Sequence, residues 1–154
     1  MKLNLKLFFL LTTIFISSCS DEKLSPEDEI KKYIESAKLA AENRSFSDLA
    51  ELIDDNYRDQ NKLDKKQLAK KAQAYFYLNQ NIHLLTKINN ITLQDDNNAF
   101  VVLHIAMAAN IIADSNALTS LRAQVYKFEL LLIKKDSWFL QQAKWQVATV
   151  KDML

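Results

Sequence analysis

"NIHLLTKINNITLQ", residues 81–94, decides how this chain is read. Before it, apolar residues recur every three or four positions. Within it they alternate, and midway the alternation slips. Ile82, Leu84 and Ile88 hold one side; beyond Asn89-Asn90 that side passes to Ile91 and Leu93. Period-two alternation is the pattern of a half-buried strand. A one-residue slip inside a strand is what a β-bulge produces, and bulges bend sheets. The stretch therefore predicts a curved sheet.

Three further strand-like runs follow: "AFVVLHIAMAAN" (99–110), "LRAQVYKFELLLIKK" (121–135) and "WFLQQAKWQVATV" (138–150). Asp95 to Asn98 and Lys135 to Ser137 read as short turns, and Asn110 to Ser120 as the only long connection. Consecutive strands with short turns make an antiparallel meander. Upstream the period is helical. Ser25-Pro26-Glu27-Asp28 opens a helix with an N-cap, a proline at the first position and acids at the positive end of the dipole. Its stripe of Ile30, Ile34, Ala37 and Ala41 extends the helix to about Asn43. A shorter helix from Ser45 or Ser47 carries Leu49, Leu52 and Ile53, and "DDNYRDQN" (54–61) breaks it. Asp64 with Gln67 forms a capping box for a third helix, in which Leu68, Ala72, Tyr75 and Phe76 share a face. The expected class is α+β: three N-terminal helices packed on a curved four-stranded antiparallel sheet.

The chain has 154 residues and no glycine. Phosphate-cradling loops need backbone amides to approach an anion without a Cβ in the way. Walker loops, dinucleotide fingerprints and G-x-S-x-G elbows are therefore excluded, and no nucleotide is expected. Left-handed backbone positions fall to Asn and Asp on this reading.

Residues 1–18 read as a secretory leader: Lys2 and Lys6, then the ten-residue apolar stretch Leu7 to Ile16, interrupted only by Thr12-Thr13, then Ser17-Ser18. Ten helical residues span about 15 Å, half a bilayer core, so a permanent transmembrane helix is not expected. "ISSC" (16–19) resembles the bacterial lipobox. That resemblance implies cleavage before Cys19, the sole cysteine, and acylation of its sulfur and amine. An ordinary cleaved signal with a free thiol, or a signal anchor, are the competing readings; an unpaired thiol in an oxidising compartment argues against the former. Ser20 in place of Asp after the cysteine points to the outer membrane, with the domain in the periplasm. The leader holds only Lys2 and Lys6 of the 20 basic residues, which leaves 18 against 19 acidic, a balance of −1. Nothing in that balance suggests nucleic acid. The expected organisation is residues 1–18 as leader, 19–25 as lipidated tether and 26–154 as a single domain.

The order of elements, and the run "IKKYIESAKLAAENRSFSDLAELIDDNYRDQ" (30–60) ahead of a tyrosine-rich third helix, resembles the nuclear transport factor 2-like superfamily and its cystatin-like cone, in the branch of bacterial envelope proteins. The resemblance covers about residues 27–150. It implies that an enzyme of this class would set an Asp, His or Tyr inside the cone.

His104 sits in strand phase with Phe100, Val102 and Ala106, a pattern that suits a general base in an apolar pocket and equally a hydrogen-bonded core histidine. No acid shares its phase. His83 and His104 lack metal-ligand spacing and there is no second cysteine, so no metal or other cofactor is expected. Tyr126, Phe128, Leu130 and Leu132 form a face that turns polar at Arg122 and Gln124. This is how the mouth of a ligand cavity looks, and also how a strand looks where it reaches water. Trp145 and Phe139 are placed to line the same hollow. Lys62, Lys65, Lys66, Lys70 and Lys71 crowd the start of the third helix and read first as a solvated face. The second strand is apolar on both sides, which is the pattern of a strand covered on both. Its outer side is expected to meet a second copy of the chain or an envelope protein. The candidate pocket is thus His104, Arg122, Gln124, Tyr126 and Trp145. Two functions follow: a non-catalytic, membrane-anchored binding or assembly module, or a small-molecule isomerase or hydrolase working through His104 or Tyr126.

Overall fold

A computed structural model describes residues 24–110, 118 and 123–154; Cys19 and Arg122 lie outside the described residues. Helix α1 spans Pro26–Glu42. Ser25 caps it by accepting from the Asp28 amide at 3.2 Å, and Glu27, Asp28 and Glu29 fill its first turn. Ile30, Tyr33, Ile34 and Ala40 are its buried positions. Helix α2, Phe46–Glu51, is capped by Ser45. Helix α3, Lys65–Leu78, carries the capping box: Gln67 N–H donates to Asp64 Oδ1 at 2.8 Å, and Asp64 N–H to Gln67 Oε1 at 3.0 Å.

The sheet has five strands, not four. β2 (His83–Asp95), β3 (Asn98–Ala108), β4 (Gln124–Lys134) and β5 (Trp138–Ala148) form the antiparallel meander. The fifth strand is β1, Ile53–Asp59, which pairs parallel to β5 at the sheet edge, giving the order β1-β5-β4-β3-β2. It begins inside the stretch read above as the end of α2 and a helix-breaking loop. Four of its seven residues, Asp54, Asp55, Arg58 and Asp59, are charged, and only Ile53 and Tyr57 bring buried apolar side chains. Pairing on one side alone lets an edge strand carry such polarity. Asp59 turns the chain into α3, its Oδ1 accepting from the Asn61 and Leu63 amides at 2.7 and 2.8 Å. Gln60 extends the pairing with its side-chain amide, which donates to Trp145 O at 3.0 Å and accepts from Trp145 N–H at 3.1 Å.

The bulge lies where the sequence slips. The register of β2 on β3 shifts between Ile88 and Asn90, so Leu84, Thr86 and Ile88, then Ile91 and Leu93, face the same side. A second shift in β4 on β5 lies between Leu131 and Leu132. The helices cover the concave side, where Ile30, Tyr33, Ile34, Ile53 and Tyr57 pack on Ala99, Val101, Leu103, Leu130, Leu132, Trp138 and Ala143. A smaller cluster forms on the convex side. There the C-terminal 3₁₀ turn Val150–Met153, whose first residue ends the run read above as the last strand, brings Met153 onto Ala106, Val125 and Leu118.

Among the described residues the left-handed corners fall to long cations and not to Asn or Asp. Arg44 (φ 55°) and Lys62 (φ 62°) are the positive-φ residues there. Arg44 closes α1 in a Schellman arrangement: Ser45 N–H donates to Ala40 O at 2.8 Å and Arg44 N–H to Ala41 O at 3.0 Å. A side chain in this region costs about 1–2 kcal/mol, and glycine's looser unfolded backbone returns about 0.5–1 of it. Lys62→Gly is therefore expected to stabilise the fold by about 0.5–1 kcal/mol. Urea unfolding reads this; a lower midpoint for the variant would contradict the strain assigned to Lys62.

Candidate functional site

Between α1 and the bent sheet lies a cavity of about 250 Å³. Its sheet wall is Leu84 and Thr86 from β2, Leu103, Ile105 and Met107 from β3, Phe128 and Leu130 from β4 and Leu140 from β5. Ile34, Ala37 and Ala41 of α1, Leu52 and Leu68 close it from the other side. Space remains because two of the helix positions that face large sheet residues are alanines. Met107 also lines a second, more polar hollow of about 320 Å³ shared with Tyr75, Asn79, Ile82 and Gln124. The second hollow thus adjoins the open end of the first.

Polar groups on the cavity wall are few. The Tyr33 hydroxyl donates to Leu52 O at 3.1 Å, and burial pushes its pKa far above the ordinary tyrosine range. A phenol so placed keeps its proton and points it at a carbonyl. Lys38 reaches the rim, where its ammonium meets Glu35 at 3.3 Å. Among the described residues no group of three His, Cys, Asp or Glu is arranged to hold a metal ion.

The sequence-predicted residues do not converge. Register places Tyr126 and Trp145 on the concave face, beside Phe128. The three rings form a row, with centroids 6.4 Å apart for Tyr126–Phe128 and 6.3 Å for Phe128–Trp145. Only Phe128 of the row lines the cavity, while Gln124 lines the outer hollow and accepts the Tyr126 hydroxyl at 3.3 Å. His104 lies on the other side of the sheet. It falls between Leu103 and Ile105, which both line the cavity, so its own side chain points to the convex face. It is 9% exposed and donates from Nδ1 to Asn89 Oδ1 at 2.7 Å, between Lys87 and Lys127 on the flanking strands. His104 is thus a bonded outer-face histidine, not an interior base. The sequence had it in the right phase; a strand apolar on both sides does not say which side faces in. Ala37, Ala41 and Thr86 were the residues missed. Their small size on an otherwise bulky apolar stripe was the available signal.

A belt of ion pairs holds the helices over this space. Glu29 of α1 pairs with Lys134 and accepts from Trp138 Nε1 at 3.0 Å. Asp54 of β1 pairs with Lys135, and Asp55 with Lys65 of α3 at 2.8 Å. Lys65 also donates to Ile53 O at 2.8 Å. The belt joins the starts of α1 and α3 to the β4–β5 turn.

No protein-family model matches the chain, and no curated protein matches it. Solved structures do. A nuclear transport factor 2-like protein of unknown function from Shewanella oneidensis superposes with a TM-score of 0.58 at 16% identity, over 79% of this chain and 98% of that one. The fold is the nuclear transport factor 2-like cone. A ketosteroid isomerase-like protein from Erwinia carotovora gives 0.60 at 14% identity, over 82% of this chain and 99% of that one. A Bdellovibrio bacteriovorus protein gives 0.62 at 10% identity over 79% of this chain. The chain spans only 40% of that longer protein. At such identities the likeness is one of fold, and this cone houses isomerase-like proteins and proteins of unknown function alike.

The Asp54 carboxyl is buried, and the Lys135 ammonium beside it holds its pKa below the usual carboxylate range; Lys135 is raised in return. A depressed carboxylate stabilises above its unfolded pKa and stops doing so as pH falls, and a raised lysine stops as pH climbs past its own. The pair therefore contributes from about pH 4 to about pH 10. Lys135→Met is expected to lower the melting temperature by several degrees at pH 7, with the gap to wild type closing as pH falls from about 4, the range of the unfolded carboxyl, through the depressed pKa of folded Asp54. A gap that stays constant through acid pH would remove the pair from the account.

Proposed function

We propose that this chain is a non-catalytic binding module whose cone holds a small, uncharged, apolar ligand. In this reading acyl chains on Cys19 keep it at the outer membrane of a bacterial envelope, with the domain in the periplasm. The observation that carries the binding reading is the cavity wall. It offers aliphatic and aromatic carbon almost throughout, one neutral phenol already bonded to a carbonyl, the Thr86 side chain, and one lysine at the rim. At about 250 Å³ the space exceeds the roughly 150 Å³ of an apolar cavity known to take benzene and falls just below the range of drug-sized sites. A substituted aromatic ring or a short acyl segment fits that measure.

The isomerase or hydrolase alternative needs an acid–base group facing the substrate. Among the described residues the wall has no carboxylate or histidine, and a phenol whose pKa is raised by burial is a poor base at neutral pH. Tyr126 sits toward the outer hollow, its hydroxyl bonded to the neutral Gln124 side chain. Binding therefore accounts for the chemistry of the wall better than catalysis does. The convex face has its own part in the reading. Phe100, Val102, Leu131, Ile133 and Phe139 are only half-buried there, while Met153 covers the opposite end. We assign this uncovered half to a second copy of the chain or an envelope protein.

Native mass spectrometry of the full chain extracted from its own membrane tests all three parts. The expected species begins at acylated Cys19, carries a non-covalent apolar mass that Ala37→Phe removes by filling the cavity, and is dimeric or partner-bound. Protein with an unmodified Cys19 contradicts the anchor, protein without ligand contradicts the cavity reading, and a bare monomer contradicts the outer interface.

A further inference from the structure

Helix α3 is fourteen residues long and buries none of them. Its inner face touches the domain lightly, with Leu68 reaching the cavity wall. Its outer face has a composition unlike the rest of the surface. At 100° per residue, Lys66, Lys70 and Tyr77 fall within about 40° of one another, and Lys71, Ala74 and Leu78 form the adjoining stripe. Between them they give one exposed surface, basic over its first two turns and apolar at its last. Tyr77 is 81% exposed and Leu78 77%. The helix contains no acidic residue. Among the described residues Lys65 alone of the group is ion-paired, and Lys62, Lys66, Lys70 and Lys71 are exposed without a carboxylate partner.

We propose that this outer face of α3 docks on an anionic lipid bilayer. Lysine ammoniums meet phosphate headgroups while their stems and the Tyr77 and Leu78 side chains enter the interface, the division of labour expected of a surface-lying amphipathic helix. A protein partner suits the face less well, because specific protein interfaces are depleted in lysine at their centres. A nucleic acid suits it less well because the chain as a whole carries a formal net charge of only +1, and its acidic residues outnumber the basic ones outside this face. The position of the helix agrees. The ion-pair belt through Glu29–Lys134, Asp54–Lys135 and Asp55–Lys65 ties the start of α3 to the start of α1. On the anchor reading above, Cys19 lies only seven residues before Pro26, so the attachment point is close in sequence to the helix start that the belt ties to α3. The proposal is independent of the cavity's occupant.

Hydrogen–deuterium exchange of the full chain in vesicles tests it, comparing phosphatidylcholine alone with phosphatidylcholine mixed with phosphatidylglycerol. The N-terminal segment is present in both, so attachment by residues 1–23 does not enter the difference. Amides of residues 65–78 are expected to exchange at least about five-fold more slowly on the anionic vesicles, the effect of a single lysine near such a surface. The slowing is expected to vanish in about 1 M salt, where screening reaches 3 Å, and in Lys66→Glu/Lys70→Glu/Lys71→Glu. It is expected to weaken in Tyr77→Ser/Leu78→Ser. Amides of residues 99–106 report whether each variant stays folded, and should the charge reversal unfold, the salt series decides. Equal exchange on the two lipids overturns the proposal. So does equal slowing on both, or slowing by soluble polyglutamate without slowing on anionic vesicles, which would assign the face to an acidic protein.

Discussion

The structure depends on one extra residue in β2. Asn89 is the position at which the β2–β3 register shifts, and its side chain accepts from His104 Nδ1 at 2.7 Å across the strand pair. An unbulged β2 would send Ile91 and Leu93 outward, since a one-residue slip exchanges the faces of a strand. With the bulge, both halves of β2 keep their apolar side chains inward and the sheet bends between them. The hydrogen bond occupies the side chain of the residue that leaves the ladder and satisfies a buried imidazole nitrogen. Leaving such a group unmet costs about 1–3 kcal/mol. His104 thus serves the curvature of the sheet, not chemistry inside it.

Curvature creates a volume that the helices must close. Helix α1 lies over the concave face with Ile30, Tyr33 and Ile34 buried, then presents Ala37 and Ala41 where the facing sheet residues are Leu103, Ile105 and Phe128. Larger residues at those helix positions would have completed a solid core. What remains is an apolar hollow, and what keeps α1 from settling into it is the ion-pair belt at its first turn together with Glu42 at its last, whose Oε1 accepts from the Leu84 amide of β2 at 2.8 Å. Both ends of the helix are fixed by polar contacts outside the hollow, so the space persists without being packed.

Much of this was legible in the residues. The period change after Asn79, the slip at Asn89-Asn90, the Ser25-Pro26 start and the Asp64–Gln67 box are local signals, and each is present where the pattern put it. The absence of glycine excluded phosphate-binding loops, and the Asp95–Asn98 turn lies where it was read, but among the described residues the left-handed corners fell to Arg44 and Lys62, the former held by the closing hydrogen bonds of α1. β1 was hidden because a charged edge strand has no alternating apolar signature; Asp54 and Asp59 are buried through partners distant in sequence or through turn amides. The candidate pocket was only partly legible. Phase grouped Tyr126 and Phe128 with the inward face, but for His104 it left two sides equally apolar, and only the position of α1 distinguishes them.

The central claim is that the bulged sheet and α1 enclose apolar space that the chain itself leaves unfilled. Xenon enters dry apolar cavities of this kind. Crystals of the protein refolded free of ligand and pressurised with xenon are predicted to show the gas bound between Ala37, Leu103 and Phe128. Collapsed side chains or ordered water at that place, with no xenon, would contradict the account.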